Sequence, residues 1–326
     1  MEERFKTLLT KARKISWSNF GRSIAFYAPS FTTYNNKYYQ APTACFPSIS
    51  ITGTACALKC KHCNGRVLGT MISATTPLEL YSVCHDIKKQ GGTGCLISGG
   101  CSPDGSVPLH RYFKTLSRIK QELELTIIVH TGIIDTSTAA QLSETGIDAA
   151  LIDVIGAQQT IEEIYNLDIT IENYRDSLKA LNAAKLPFVP HVIVGLHYGQ
   201  LLGELDALHM IADYEPSGIV VIALIPLPRT PLEKINPPSA KDIGWVIANA
   251  RLLLPKTPIA LGCMRPKGTH RIQTDILAIQ AGVNAIAYPT LEAIEQAKTY
   301  NLDIHFSPQC CSQIYEDFRK FSKLRI

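Results

Sequence analysis

From residue 48 onward the chain alternates short apolar runs with amphipathic helical stretches, a pattern that few folds accommodate. The runs lie at 48–52, 95–98, 126–130, 149–154, 189–195, 219–225, 259–262 and 285–288. Each is nearly continuously apolar, as strands buried on both faces of a parallel sheet are. Helical spacing fills the intervals near 77–90, 108–122, 136–144, 171–185, 199–213, 239–252, 270–281 and 291–299. Glycines at Gly91-Gly92, Gly146 and Gly282 close several of these helices. Eight strand–helix units in a row predict an α/β fold, and eight is the number that closes a (β/α)8 TIM-type barrel. The barrel is expected over 46–307, behind an N-terminal extension at 1–45 and ahead of a short tail at 308–326 that carries a Cys pair. In such a barrel chemistry sits on the loops after the strands, at their C-terminal ends.

The loop after the first predicted strand reads Cys56-Ala-Leu-Lys-Cys60-Lys-His-Cys63, a C-x3-C-x2-C spacing. Cysteine thiolates hold iron–sulfur clusters. Three of them this close can bind three irons of a 4Fe–4S cluster and leave the fourth without a protein ligand. Zinc is the rival, but a structural zinc site is closed by four ligands. The nearby candidate for a fourth, His62, abuts Cys63 and is expected to point elsewhere.

This motif resembles the signature of the radical S-adenosylmethionine (SAM) superfamily. The resemblance implies that the open iron chelates SAM, and that its reductive cleavage gives a 5′-deoxyadenosyl radical. It places His62 beside the adenine. Gly99-Gly100, ending the second strand, would let the backbone approach SAM. Cys101 stands where the family has an acidic residue. His130 and Asp153 end the third and fourth strands. A lone carboxylate in an apolar run is expensive to bury, so Asp153 is expected to bind the SAM ribose or substrate. Ile193, in Val192-Ile-Val-Gly-Leu196, lies on a stretch that resembles the adenine-contacting strand. Arg175 lies about half a turn from the family's SAM-carboxylate arginine.

Residues 46–290 resemble the biotin synthase group, through Ile222–Glu233 and the block from Ile259 to Pro289. Arg265 falls at the group's seventh-strand arginine, which in biotin synthase lies at an auxiliary cluster. The three strand cysteines that hold that cluster are missing here; Ile97 and Val189 are among the replacements.

Seven of the ten cysteines remain outside the motif. Cys84 and Cys95 read as small core residues. Cys101, Cys263, Cys310 and Cys311 sit at predicted strand ends or after the eighth strand, and are expected to converge on a second, auxiliary iron–sulfur cluster, with Cys45 in reserve. Cys101 and Arg265 are then the candidate catalytic residues. The GGC stretch, the LGCMRP stretch and the terminal Cys pair resemble the two-protein lipoyl synthases. That resemblance implies sulfur insertion into an octanoyl chain on an acceptor protein or peptide. A paralogous partner subunit would share the two insertions, and a ferredoxin- or flavodoxin-type donor would supply electrons. The alternatives are another biotin synthase-like reaction (small-molecule sulfur insertion, rearrangement or cofactor maturation) and an electron-transfer or scaffold protein without SAM chemistry.

Composition narrows the setting. At 46% apolar and 18% charged residues, the chain can bury a large core. A net charge of +4 without basic clusters argues against nucleic acid. No apolar run approaches the roughly 18 residues of a membrane span. The N-terminus lacks a signal-peptide core, and a cytoplasmic protein is expected. Residues 1–14 read as a docked helix, and residues 318–326 as a solvated basic end.

Overall fold

The computed structural model describes residues 2–323, with side chains as far as residue 318 in the last helix. The strands are β1 (Ser23–Tyr27), β2 (Ser48–Ser50), β3 (Ile72–Ser73), β4 (Gly94–Ser98), β5 (Thr126–His130), β6 (Ala149–Asp153), β7 (Phe188–Val194), β8 (Ile219–Ala223), β9 (Ile259–Leu261), β10 (Ala285–Ala287) and β11 (Asp303–Ser307). The helices are α1 (Glu2–Phe20), α2 (Pro77–Lys89), α3 (Phe113–Leu123), α4 (Thr136–Glu144), α5 (Gln158–Thr160), α6 (Ile171–Ala183), α7 (Glu204–Ala212), α8 (Ala240–Leu253), α9 (Thr269–Gln280), α10 (Leu291–Thr299) and α11 (Ile314–Lys323).

All the expected apolar runs form strands, and the α/β barrel class is as predicted. The sheet is longer than eight strands. Among the described residues it has eleven, in the order β11-β1-β10-β9-β8-β7-β6-β5-β4-β2-β3, and every pairing there is parallel. Among the described residues no ladder joins β3 to β11, so the sheet curls as a half-barrel with two edges. The expected extension at 1–45 is part of this frame: β1 pairs with both β10 and β11. Beyond β1 the chain crosses over the β11 edge, where Tyr39 stacks on Phe306 at 4.9 Å. α1 docks as expected, with Leu9, Ala12 and Ser16 buried.

Strand alternation divides the interior in two. Ile24, Phe26, Ile127, Val129, Ile152, Val192, Val221 and Leu261 face outward into the helices. The residues between them, Ala25, Tyr27, Ile128, Ala149, Leu151, Val189, Val220, Ala260, Ala285 and Ala287, line the lumen. Five of those ten are alanines, too small to fill the space a curled sheet encloses. The C-terminal segment supplies the missing volume. Cys310, Cys311, Ile314, Tyr315 and Phe318 join the luminal core, at 0–7% exposure.

Tyr315 Oη donates to the Asp148 carbonyl at 2.7 Å and Phe318 packs edge-on against Phe20 at 5.7 Å, which places α11 at the N-terminal ends of the strands. Tyr27 Oη donates to Asp317 at 2.6 Å. The expectation of a solvated end is therefore corrected at Phe318, which is docked because the alanine-lined lumen needs its bulk. Residues 324–326 lie outside the described ones, as do the side chains from 319.

Candidate functional site

The cysteine loop is held from both sides. After β2 the backbone turns tightly: Asn64 N–H donates to the Cys60 carbonyl at 2.8 Å, and Arg66 N–H to that of Cys63 at 2.8 Å. Lys59 and Asn64 take positive φ, of 48° and 45°. On one flank lies the Gly99-Gly100-Cys101 stretch. Gly100 N–H donates to Thr52 Oγ1 at 2.7 Å, and Ala57 N–H donates to the Cys101 carbonyl at 2.9 Å. A Cβ on Gly100 would fall 1.9 Å from the Ala55 carbonyl oxygen, so no other residue fits that contact. On the other flank is a π-turn, Ile161–Tyr165, continuing α5. Its Ile164 carbonyl accepts from Lys61 N–H at 2.8 Å, and its Tyr165 carbonyl from Cys60 Sγ at 3.6 Å.

Cys60, His62 and Cys63 bring their ligand atoms within 4.8 Å of one another. His62 therefore does not point elsewhere, as expected from its sequence position; the tight turn folds its ring back over the thiols. The two neighbouring sulfurs act on each other: Cys63 pushes the Cys60 thiol up, and Cys60 draws Cys63 down to about 4, with His62 adding to the second effect. Cys56 and Cys63 are half-buried beside them.

Polar side chains without partners surround these thiols. His62 Nδ1 and Tyr165 Oη are both buried and unbonded. The two rings lie 5.2 Å apart. Asp153, on the luminal face of β6, carries a carboxyl raised by burial, an effect that His130 and then His62 oppose. His130 and His191 pack with centroids 5.1 Å apart, because β5, β6 and β7 pair in the register His130↔Leu151 and Asp153↔His191. Burial keeps both imidazoles below their usual range. Buried polar groups are normally paired. Two buried, unpaired polar atoms next to three thiols, with Asp153 nearby, fit a polar ligand held against a thiolate-bound cluster. Cys56, Cys60 and Cys63 would hold the cluster, and His62, His130, Asp153 and Tyr165 would face the ligand. Closed four-ligand zinc does not account for Asp153 or Tyr165.

The other thiols form two neighbourhoods. Cys101 lies within electrostatic reach of Cys56, Asp153 and Cys63, and burial pushes it up to about 12. Cys263 instead neighbours Cys310, and burial pushes it up to about 11. Cys310 and Cys311, neighbours in the chain, act on each other, Cys311 lowering Cys310 and Cys310 raising Cys311. The expected convergence of Cys101 with the other three is therefore corrected. Cys101 lies in the loop after β4 beside the first group, whereas Cys263 follows β9 and meets the tail inside the lumen.

Arg265 is a structural anchor here, not a free catalytic group. It is fully buried, pairs with Asp275 at 2.8 Å, and donates to the carbonyls of Gly262 (2.6 Å), Ala287 (2.9 Å) and Tyr288 (3.3 Å). It ties β9, α9 and the end of β10 together beneath Cys263. Arg175 is corrected too: it is exposed on α6, paired with Glu172 at 3.2 Å and Asp213 at 3.1 Å, away from the thiols. Ile193 lines a small cavity with Val154, Gly156 and Glu204 at the C-terminal ends of β6 and β7. Cys84 and Cys95 are buried with sulfurs 3.9 Å apart, and Cys45 is buried against Thr93, distant from both groups in the fold.

Sequence reasoning missed Tyr165, Lys61, Tyr198 and Glu204. Glu204 accepts from Gly195 N–H at 2.8 Å and fixes the turn after β7. Its signal was a carboxylate at the end of a glycine-rich stretch. Tyr165 had none, because a π-turn has no readable periodicity.

The family model of the Radical SAM superfamily matches residues 50–200, which span the cysteine loop and the luminal histidines. The biotin synthase of Ruthia magnifica subsp. Calyptogena magnifica is 28% identical over 250 residues, covering 74% of this chain and 75% of that one. Among solved structures, methylornithine synthase matches with a TM-score of 0.63 at 15% identity, over 98% of this chain and 93% of that one. The hydrogenase maturase HydG matches with a TM-score of 0.67 at 16% identity, over 99% and 74%. At such identities the structural matches speak for the fold alone. The chain thus resembles the radical SAM superfamily over residues 50–200 and is similar to biotin synthases over about three quarters of its length, and in that superfamily such a thiol group holds a 4Fe–4S cluster with SAM. No helix among the described residues is long and apolar enough to cross a membrane.

Proposed function

We propose that the chain is a sulfur-inserting radical SAM enzyme of the lipoyl synthase kind, acting on an octanoyl chain carried by a lysine of an acceptor protein. The observation that carries this reading is the second thiol group. Cys263, Cys310 and Cys311 come from β9 and the luminal tail and meet beside the buried Arg265. Thiols from segments this far apart in sequence, gathered in one buried place, suit an auxiliary iron–sulfur cluster better than chance.

A 4Fe–4S cluster with SAM at the first group would supply the hydrogen-abstracting power that an unactivated C–H bond requires, and the second group would hold the sulfur source. The chain's own residues do the positioning. Cys56, Cys60 and Cys63 hold the first group, and Gly100 lets the loop pack against β4. Asp153, His130 and His62 offer a carboxylate and imidazoles to a polar ligand. Cys101, kept as a thiol by burial, stands near Cys56, Cys63 and Asp153. A paralogous partner subunit would share the two insertions, and a reduced ferredoxin- or flavodoxin-type protein would deliver electrons.

Cys101's separation from Cys263 favours a second reading, in which the reaction is a rearrangement or cofactor maturation and the tail thiols are incidental. Anaerobic reconstitution with SAM, a reductant and an octanoylated peptide separates the two. Peptide gaining the mass of sulfur supports insertion. SAM cleavage with no sulfur gain, at full iron loading, supports the second reading.

A further inference from the structure

One side chain of the cysteine loop reaches out of it. Lys61, between Cys60 and His62, donates from Nζ to Tyr198 Oη at 2.8 Å. The same hydroxyl faces Glu163 and helps hold its carboxyl below the usual range, while Glu163 accepts from Gln159 Nε2 at 2.7 Å. Three separate segments meet at this hydroxyl: the cysteine loop, the π-turn after β6 and the turn after β7. Tyr198 holds a positive φ of 52°, a strained conformation for a bulky residue. Its ring packs edge-on against His197 at 4.9 Å, and His197 Nδ1 lies 3.2 Å from Thr160 Oγ1 on α5. Gly195, Gly199 and Gly203 around it also have positive φ, and Glu204 clamps the turn's start. The turn after β7 is thus built to present one hydroxyl to one lysine. Neither Lys61 nor Tyr198 is needed to fill the core, since both are only half-buried.

We propose that Tyr198 is a positioning residue: by bridging the Lys61 ammonium to the Glu163 carboxylate, it locks the cysteine loop and fixes a positive charge beside the group those cysteines hold. The inference rests on the radical SAM reading for its redox consequence but not for its mechanical one. An ammonium held close to a cluster favours the electron-rich state, because opposite charges attract more strongly where water is partly excluded. Freed into solvent, the same charge is screened. The bridge therefore couples the loop's rigidity to how readily its cluster is reduced.

The test uses Tyr198→Phe, which keeps the ring and removes only the bridging oxygen, together with Lys61→Met and the conservative Lys61→Arg. In the metal-free chain, amide hydrogen exchange over 57–66 is expected to quicken about tenfold in Tyr198→Phe and Lys61→Met, the scale of one lost hydrogen bond of about 1.4 kcal/mol. In the reconstituted protein, the cluster's midpoint potential, read by EPR-monitored titration, is expected to fall in both variants and to recover in Lys61→Arg. Exchange and potential unchanged from the parent in Tyr198→Phe would overturn the proposal. So would a fall in potential that Lys61→Arg does not repair. A protein that binds no cluster at all would sink the functional reading while leaving the exchange experiment decisive for the clasp.

Discussion

The two thiol groups of this molecule are assembled in opposite ways. Cys56, Cys60 and Cys63 lie within one short loop, two of them half-buried, beside two buried polar atoms that lack partners, His62 Nδ1 and Tyr165 Oη. Cys263, Cys310 and Cys311 come from segments nearly fifty residues apart and lie against an arginine that already makes four hydrogen bonds of its own. The first group leaves unmet hydrogen-bonding capacity for a ligand. The second is enclosed by apolar luminal side chains and has little left to offer beyond its sulfurs. The contrast separates a group that must admit an exchangeable molecule from one that needs only to hold something in place.

That contrast can be broken at several points. Cys60→Ala should abolish SAM cleavage, because three irons cannot be held by two thiolates; 5′-deoxyadenosine formed at the parent's rate would remove the first group from the chemistry. Cys263→Ala should leave cleavage intact while iron falls from about eight to about four per chain, as loss of one of two 4Fe–4S clusters requires. Equal iron in variant and parent would reduce the second group to incidental thiols.

Arg265→Met should destabilise the metal-free chain by about 3–5 kcal/mol in urea denaturation, since Asp275 would be left buried and uncompensated. A loss no larger than that of an exposed pair, about 1 kcal/mol, would return Arg265 to the list of free functional groups.

The smallest effect concerns the luminal imidazoles. His191 is held below its usual range by burial and by His130, so the unfolded chain binds its proton more readily. Stability from this group is present above the ordinary histidine pKa of about 6.5 and is lost as pH falls below it, by up to about 1.4 kcal/mol per pH unit. His191→Leu should flatten that slope in denaturant melts between pH 7 and pH 5. An unaltered slope would mean that the luminal pair does not govern acid lability.

The strands were legible because parallel strands buried on both faces are apolar at nearly every position, and 126–130 and 149–153 need no further signal. The first thiol group was legible because its residues are neighbours in the chain. What the sequence hid was placed by tertiary contact. β1 is a five-residue run, and nothing in Ser23–Tyr27 says that it pairs with β10 and β11. Arg265 drew a catalytic reading because an arginine in an apolar stretch looks purposeful. Its partner Asp275, itself in an apolar stretch ten residues on, was the clue to a buried ion pair. Arg175 sits on an amphipathic helix whose outer face already carries Glu172, and that i,i+3 pair was the simpler explanation. The alanines at 149, 260, 285 and 287 announced a lumen needing filler, yet no local pattern marked the tail as the filler.

That tail has a consequence for how the molecule is made. Residues 310–318 complete a cavity whose walls were synthesised from residue 25 onward, so the lumen stays hydrated until some three hundred residues have been translated. Pairings across such separations close slowly. A nascent barrel waiting with an uncovered apolar throat is a natural client for chaperones.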